Sequence, residues 1–504
     1  MINIKNGKNV KKKKVIIIGG GTAGLIIAKN LQTKFDVVVL EKNFFKSYPL
    51  VYKIPLMIGL LFRDRNKKYI LNREITLKND RKIPFFESNI LGGSSIMNGC
   101  VHMLGSKVLW DRFLRKFNAG YKDILESFEK LYTFKKGISG KINLSTISQG
   151  IIDLEFIKTL HQQGIPVGDM NFSDEVACGS IHVTTKEIFR SSVLSVLDEK
   201  KFKIFTREKV KKLVFNKQGK ILGVITEQGK IKADYVILSG GVIGTCDLLL
   251  RSKQDKEYRG MEVLKNLSIG SGIKDHANLR VNVFTNQEIG SLNEIEKSLL
   301  KKILLMLKHL CRKPTLMKGT GASSGVHLDL DKDGLIDTRI QIVNFTESGR
   351  HGSDGKYFSE KPGFSFSISL IKTESKGELT LTGSSNNLNP RYLSSRKDVD
   401  LFKKALTFCL VLLKEKPLSD YVLEIENKDE IETKPEQYIA NNIYSGHHLI
   451  GGLQNSIDSN FHLKETEGLY VCDASVFEDY VASNIHSSVA LLADLFSKNF
   501  LAKC

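Results

Sequence analysis

Apolar positions along this chain change period several times, and each change marks an element. Val15-Ile16-Ile17-Ile18 is a continuous β-branched run, the pattern of a strand buried on both faces of a parallel sheet. Gly19-Gly20-Gly21-Thr22-Ala23-Gly24 follows, after which Leu25, Ala28 and Leu31 recur at helical spacing. Val37 to Leu40 reads as a second buried strand, closed by Glu41. The pattern predicts a βαβ unit. Near the other end, Val489, Leu492, Leu495 and Phe496 share one face of a predicted helix, and Asn484 is a good residue to cap it. Val326 and Leu328, then Ile340 and Ile342, alternate like two strands around an Asp-rich turn.

The glycines of the βαβ unit have separate physical uses. Gly19 permits the tight turn, Gly21 lets backbone approach a pyrophosphate, and Gly24 lets the helix pack closely on the strand. Thr22 and Ala23 open the helix, where free N–H groups and the positive dipole end favour phosphate. Glu41 stands where a carboxylate accepts ribose hydroxyls and would repel a 2′-phosphate. Together these predict a dinucleotide site, with FAD and NAD both open at this point.

Composition narrows the classes. A length of 504 residues allows two domains. The longest uncharged apolar stretches, Ile54 to Phe62 and Ala405 to Leu413, fall short of the ~20 residues that span a bilayer. Lys11 to Lys14 followed by Val15 to Ile18 imitates a signal peptide only over four apolar residues, so it reads as the strand. The seven cysteines include no CxxC pair and are odd in number, which argues against a disulfide framework or zinc site and suits a reducing cytoplasm. The net charge of +20 comes from scattered lysines and reads as a solvated surface; no nucleic-acid motif accompanies it.

Residues 91–99, Leu-Gly-Gly-Ser-Ser-Ile-Met-Asn-Gly, form a second glycine motif. Here the chain resembles the glucose-methanol-choline (GMC) oxidoreductases, whose signature at this distance is LGGSSxxNG. The likeness continues in order. Residues 233–250 resemble the family's second signature, with Thr245-Cys246 in place of Ser-Pro. Residues 270–276 resemble its GxxLxDH segment, and 375–381 its SxGxVxL strand. His448 matches the His of its HxxG segment, with Gly452 where Thr is commoner, and 468–477 resemble its LxVxDASV strand. A second catalytic residue, His or Asn, lies nine positions before an Ala that precedes an acid. Ala493-Asp494 sets that position at Asn484, not at His486.

The resemblance implies an α/β fold: a Rossmann-like FAD-binding domain plus an α+β substrate domain built on an antiparallel sheet. It implies a division into residues 1–285, with parts of 50–85 and 110–190 as lid or substrate-side elements, a substrate domain at 286–435, and a return at 436–504. Gly92, Gly93, Ser94, Asn98, Gly99, Cys100, Val101, Val210, Asp473, Ala474 and Ile485 join the first glycines and Glu41 as expected FAD contacts. Met97 stands where some members carry a His bonded covalently to flavin, so noncovalent FAD is expected. The implied reaction is oxidation of a small-molecule alcohol, with oxygen or another electron acceptor as the second partner. His448 would take the hydroxyl proton and Asn484 would donate to the alcohol oxygen. A lyase that retains FAD, a noncatalytic flavin protein and an NAD-dependent dehydrogenase are the alternatives. The last leaves the second glycine motif and the C-terminal pair unexplained. Asp329 to Asp337 has calcium-loop spacing but Ile340 at the bidentate position, so a hairpin turn is expected and no metal.

Overall fold

The computed structural model describes residues 12–63, 68–134, 140–172, 174–347, 358–383 and 385–503. The run Val15 to Ile18 lies in the central strand, Lys14–Ile18, of a five-stranded parallel sheet. Its neighbours are Asp36–Glu41 and Tyr235–Leu238; Lys203–Thr206 and Leu469–Val471 form the edges. Val15, Ile16 and Ile17 are wholly buried because both faces of this sheet are covered. Helix Thr22–Leu31 packs against the C-terminal helix Ile485–Lys503, which is buried along most of its length. Asp494, also fully buried, accepts from Asn30 Nδ2 at 2.9 Å and Ser127 Oγ at 3.1 Å and pairs with Lys130. It ties the C-terminal helix to both the first helix and helix Tyr121–Leu131.

A second body is built on a seven-stranded antiparallel sheet. Its strands run Val422–Ile425, Ala277–Thr285, Gly363–Leu370, Thr338–Val343, Ala322–Leu328 and Ala177–Ser180, with Tyr444–Ser445 also paired to Ala277–Thr285. Three of these strands come from outside residues 286–435. Phe364, Phe366, Ile340 and Ile342 are fully buried beneath helix Arg396–Leu412 and its neighbours. The loop 329–337 does join two antiparallel strands, Ala322–Leu328 and Thr338–Val343.

A small four-stranded sheet connects the bodies, ordered Ser385–Asn389, Gly377–Thr382, Ser271–Lys274 and Ile450–Gly452. Pairing Ile450 with Lys274 and Gly452 with Ser271 fixes the segment that carries His448. Gly452 has φ +103°, and a Cβ on it would sit 2.8 Å from Cys246 Sγ. Gly452 and Cys246, two of the positions that depart from the family pattern, are thus close neighbours. Among the described residues, no helix is long and apolar enough to cross a membrane.

Candidate active site

A cleft of about 610 Å³ runs from the parallel sheet to the segments that carry His448 and Asn484. That is within the usual range for a pocket that encloses a cofactor or substrate. Seventeen of the expected residues line it: Gly19, Gly21, Thr22, Ala23, Glu41, Gly93, Ser94, Asn98, Gly99, Cys100, Val101, Val210, His448, Asp473, Ala474, Asn484 and Ile485.

Gly24 and Gly92 do not line it. A Cβ on Gly24 would lie 1.9 Å from Gly19 O, so its smallness serves the helix-to-turn contact. Gly92 has φ +100° and donates its N–H to Gly20 O at 2.8 Å, so it joins the two glycine loops. Both act behind the cleft wall.

The nucleotide end is made of backbone. Gly21 precedes helix Thr22–Leu31, and nothing lies within 4 Å of where its Cβ would be. A second helix, Gly241–Lys253, also starts at the cleft, and Gly241 and Gly244 are equally open. The C-terminal helix also begins at the cleft, at Ile485, but beside Asn484 at the other end. Two helix N-termini therefore face the nucleotide end and a third the catalytic end, a setting that favours anionic groups. Asp473 fastens the second start, accepting from Gly241 N at 2.9 Å and Thr245 Oγ1 at 2.6 Å. Thr245 supplies the hydroxyl for which the family signature uses Ser. The 239–244 wall lies within the second signature, yet its residues are not among the contacts expected from the sequence. Its glycine spacing was the signal that could have found them.

Glu41 is buried and accepts from Gly20 N at 2.6 Å and Asn43 N at 2.8 Å. Burial raises its pKa, and these backbone bonds oppose the rise.

The other end is made of side chains. His448 Nδ1 lies 3.0 Å from His276 Nδ1, so one ring must donate and the other accept. His448 N donates to Asp275 Oδ1 at 2.7 Å, and Tyr480 Oη donates to His448 O at 3.0 Å. Asp275 also accepts from Tyr392 Oη and Ser445 Oγ, each at 2.5 Å. Tyr480 lies against His276 with ring centroids 3.7 Å apart and the planes tilted by 36°. Burial, helped by the charge of Arg339, pushes the His448 pKa down to about 3. The ring is thus neutral throughout the ordinary pH range.

Arg339 is a site residue that the sequence reading did not find. It sits on strand Thr338–Val343, only 3% exposed, and donates from Nη1 to Asn484 Oδ1 at 2.7 Å and to Met103 Sδ at 3.2 Å. Its Nε has no hydrogen-bond partner, and no carboxylate pairs with it among the described residues. Burial lowers its pKa to about 10, which leaves it charged. Because a guanidinium only donates, it must face the amide oxygen of Asn484. That leaves the Asn484 NH₂ as the group that can donate elsewhere, as the expected role requires. Arg190 treats Asn98 alike, donating to Asn98 Oδ1 and O at 2.6 Å each. No sequence pattern marks either arginine, since each reaches its Asn across the fold.

His447 and His486 line the cleft as well. His447 has φ +59° and lies against Phe85 and Phe86. Among the described residues His486 Nε2 is buried without a partner, and burial, with the charge of Arg190, lowers its pKa to about 4. A buried ring nitrogen with nothing to bond inside the protein fits a wall made for a polar ligand.

Asp329, Asp331 and Asp333 do bring their carboxylates together. Lys372 pairs with Asp331 and Asp333, and Lys397 lies 2.7 Å from Asp331. Asp337 accepts from Leu330 N and Asp331 N at 2.8 Å and shapes the turn.

Sequence profiles described as GMC oxidoreductase match residues 13–278 and 373–493. The oxygen-dependent choline dehydrogenase of Photobacterium profundum is 23% identical over 95% of this chain and 91% of its own length. Pyridoxine 4-oxidase from Mesorbium loti superposes with a TM-score of 0.80 at 17% identity, over 98% of this chain and 100% of that one. Formate oxidase from Aspergillus oryzae gives 0.83 at 18% identity, over 99% of both.

Proposed function

Because this chain belongs to the GMC oxidoreductase family, we propose that it is an FAD-dependent enzyme that oxidises a CH–OH group, using His448 and Asn484. The observation that carries the reading is the shared cleft: two helix N-termini at one end and, at the other, a neutral, buried His and an oriented Asn at the start of a third helix.

The residues fit the cofactor. Gly21, Gly241 and Gly244 leave open the space that side chains would fill, and His486 Nε2 offers an unused polar atom. Thr22 and Ala23 would hold the pyrophosphate, Glu41 the ribose and Val210 the adenine. Gly93, Ser94, Asn98 to Val101, Asp473, Ala474 and Ile485 would hold the ring system. Met97 lines the cleft with a thioether and no nucleophilic nitrogen, which supports noncovalent binding. Residues 1–285 and 436–504 would serve mainly the cofactor, and 286–435 the substrate.

When bound, FAD would supply the two-electron acceptor that oxidation of a CH–OH group needs. His448 accepts the hydroxyl proton at Nε2; its Nδ1 is committed to His276, and donation from Nδ1 leaves the lone pair on Nε2. Asn484 donates through its NH₂ to the alcohol oxygen as negative charge grows there. Arg339 holds that amide in place and adds positive potential, which in a dry site favours the alkoxide over the alcohol.

Oxygen or another acceptor closes the cycle. A cytoplasmic location is part of the proposal. Among the described residues six cysteines are free, five of them buried, which suits a reducing compartment. Purified protein is expected to be yellow and to release free FAD on acid denaturation. A colourless protein purified with FAD present contradicts the cofactor, and flavin that stays with the precipitate contradicts noncovalent binding.

A further inference from the structure

Helix Leu299–Leu310 sits on the surface inside out. Leu299, Leu300, Ile303, Leu304, Leu307 and Leu310 are 46% to 74% exposed. Its spacing is amphipathic, which ordinarily buries the apolar face. Here the other face is anchored. His309 is fully buried, with Nδ1 3.0 Å from Thr315 Oγ1 and Nε2 2.9 Å from Ile188 O. Lys301 pairs with Glu288 at 2.8 Å and Lys302 with Glu296 at 3.2 Å. The protein therefore grips the polar side and gives six large apolar residues to solvent. A contiguous apolar ridge of this kind marks an interaction surface.

The charge around the ridge identifies its partner. From Lys297 to Lys318 the chain has seven Lys or Arg and no Asp or Glu. Lys297, Lys308, Arg312 and Lys313 are all exposed at the helix ends. We propose that this helix docks the protein on an anionic membrane surface, leucines in the acyl boundary and the flanking cations on lipid phosphates. Twelve residues make a rod of about 18 Å, too short to span a bilayer and suited to lie in its plane. Clustered cations beside such a helix are what anionic lipid recognition uses. A nucleic acid would meet the cations but has no use for the leucines. A second copy of this chain would set Lys308, Arg312 and Lys313 against groups of like sign, on a molecule that already carries +20. The scattered lysines thus have one place where they act together with apolar surface.

The test is sedimentation of the flavin-loaded protein with two kinds of vesicle, phosphatidylcholine alone and phosphatidylcholine mixed with phosphatidylserine. Association is expected to be about tenfold stronger with the mixed vesicles and to weaken in high salt. The triple variant Leu300→Gln, Leu304→Gln, Leu307→Gln is expected to lose binding to both, with an unchanged melting temperature because these side chains are already in water. The variant Lys308→Glu, Arg312→Glu, Lys313→Glu is expected to lose only the preference for phosphatidylserine. A wild type that stays in the supernatant with the mixed vesicles overturns the proposal. So does a triple leucine variant that pellets as well as wild type. A wild type that ignores vesicles but forms dimers the leucine variant cannot form overturns it as well, and gives the face to a second copy.

Discussion

The two ends of the cleft are built by different means. At the nucleotide end, backbone does the work: glycines create room and helix starts supply N–H groups. At the catalytic end, four side chains from distant parts of the chain converge: His276, Arg339, His448 and Asn484. The first end tolerates no added bulk. The second depends on charge and hydrogen-bond direction, where a substitution of equal size can be decisive. Expected losses therefore differ in kind between the ends.

The largest effect is expected at Gly21. Gly21→Leu places a side chain in empty space, so the protein should fold yet retain no FAD, seen as loss of the visible spectrum with an unchanged far-ultraviolet signal. Gly24→Ala is the contrast: its Cβ meets Gly19 O, so thermal stability should fall while the cleft itself is unaltered. If both variants lose FAD at equal stability, the assignment of Gly24 to packing is wrong.

At the catalytic end, His448→Ala is expected to lower kcat about 10³-fold while FAD stays bound, the usual size for loss of a general base. Arg339→Met is expected to lower kcat/KM by about 10²-fold, comparable to loss of one oriented donor. Because Arg339 helps hold the His448 pKa down to about 3, its removal should raise the acidic limb of the kcat/KM profile. A structural role alone would leave that limb unmoved and cost stability. Here, removal of a buried cation with no counter-ion among the described residues should leave the melting temperature equal or higher.

The smallest expected effect is shared by the buried histidines. His102 and His448 are pushed down to about 3 and His486 to about 4, in each case chiefly by burial. All three are neutral in the folded state at pH values where the unfolded chain takes up protons near 6.5. Their stabilising effect is complete above about 6.5 and is lost as pH falls toward 4, by up to about 1.4 kcal/mol per pH unit for each ring. Urea unfolding between pH 7 and 5 should show this slope, and His102→Asn should reduce it. A flat profile would show that these rings titrate normally.

This contrast also explains what could be read from the sequence. Gly19, Gly21 and the Val15 strand are neighbours along the chain, so their arrangement is written in local spacing. The family likeness reached His448 and Asn484 because each lies in a short motif. It could not reach Arg339, whose meaning depends on a strand that meets Asn484 only after folding. The same holds for the partner of Asp275-His276: the segment was noticed, but its bonds to His448 are long-range. Strands Ala177–Ser180 and Tyr444–Ser445 join the antiparallel sheet from afar, and local pattern does not reveal a strand's neighbour. Helix Leu299–Leu310 is the opposite case. Its amphipathic spacing predicts a buried apolar face, and tertiary anchoring of His309 turned it outward.

The central claim is proton removal from an alcohol by His448 in a flavin-loaded cleft. It is tested most directly by mixing the yellow protein with a panel of primary and secondary alcohols in the absence of oxygen and following the flavin absorbance at several pH values. Wild type is expected to bleach with at least one alcohol, and His448→Ala to bleach about 10³-fold more slowly while binding FAD normally. A His448→Ala variant that bleaches at the wild-type rate would contradict the account.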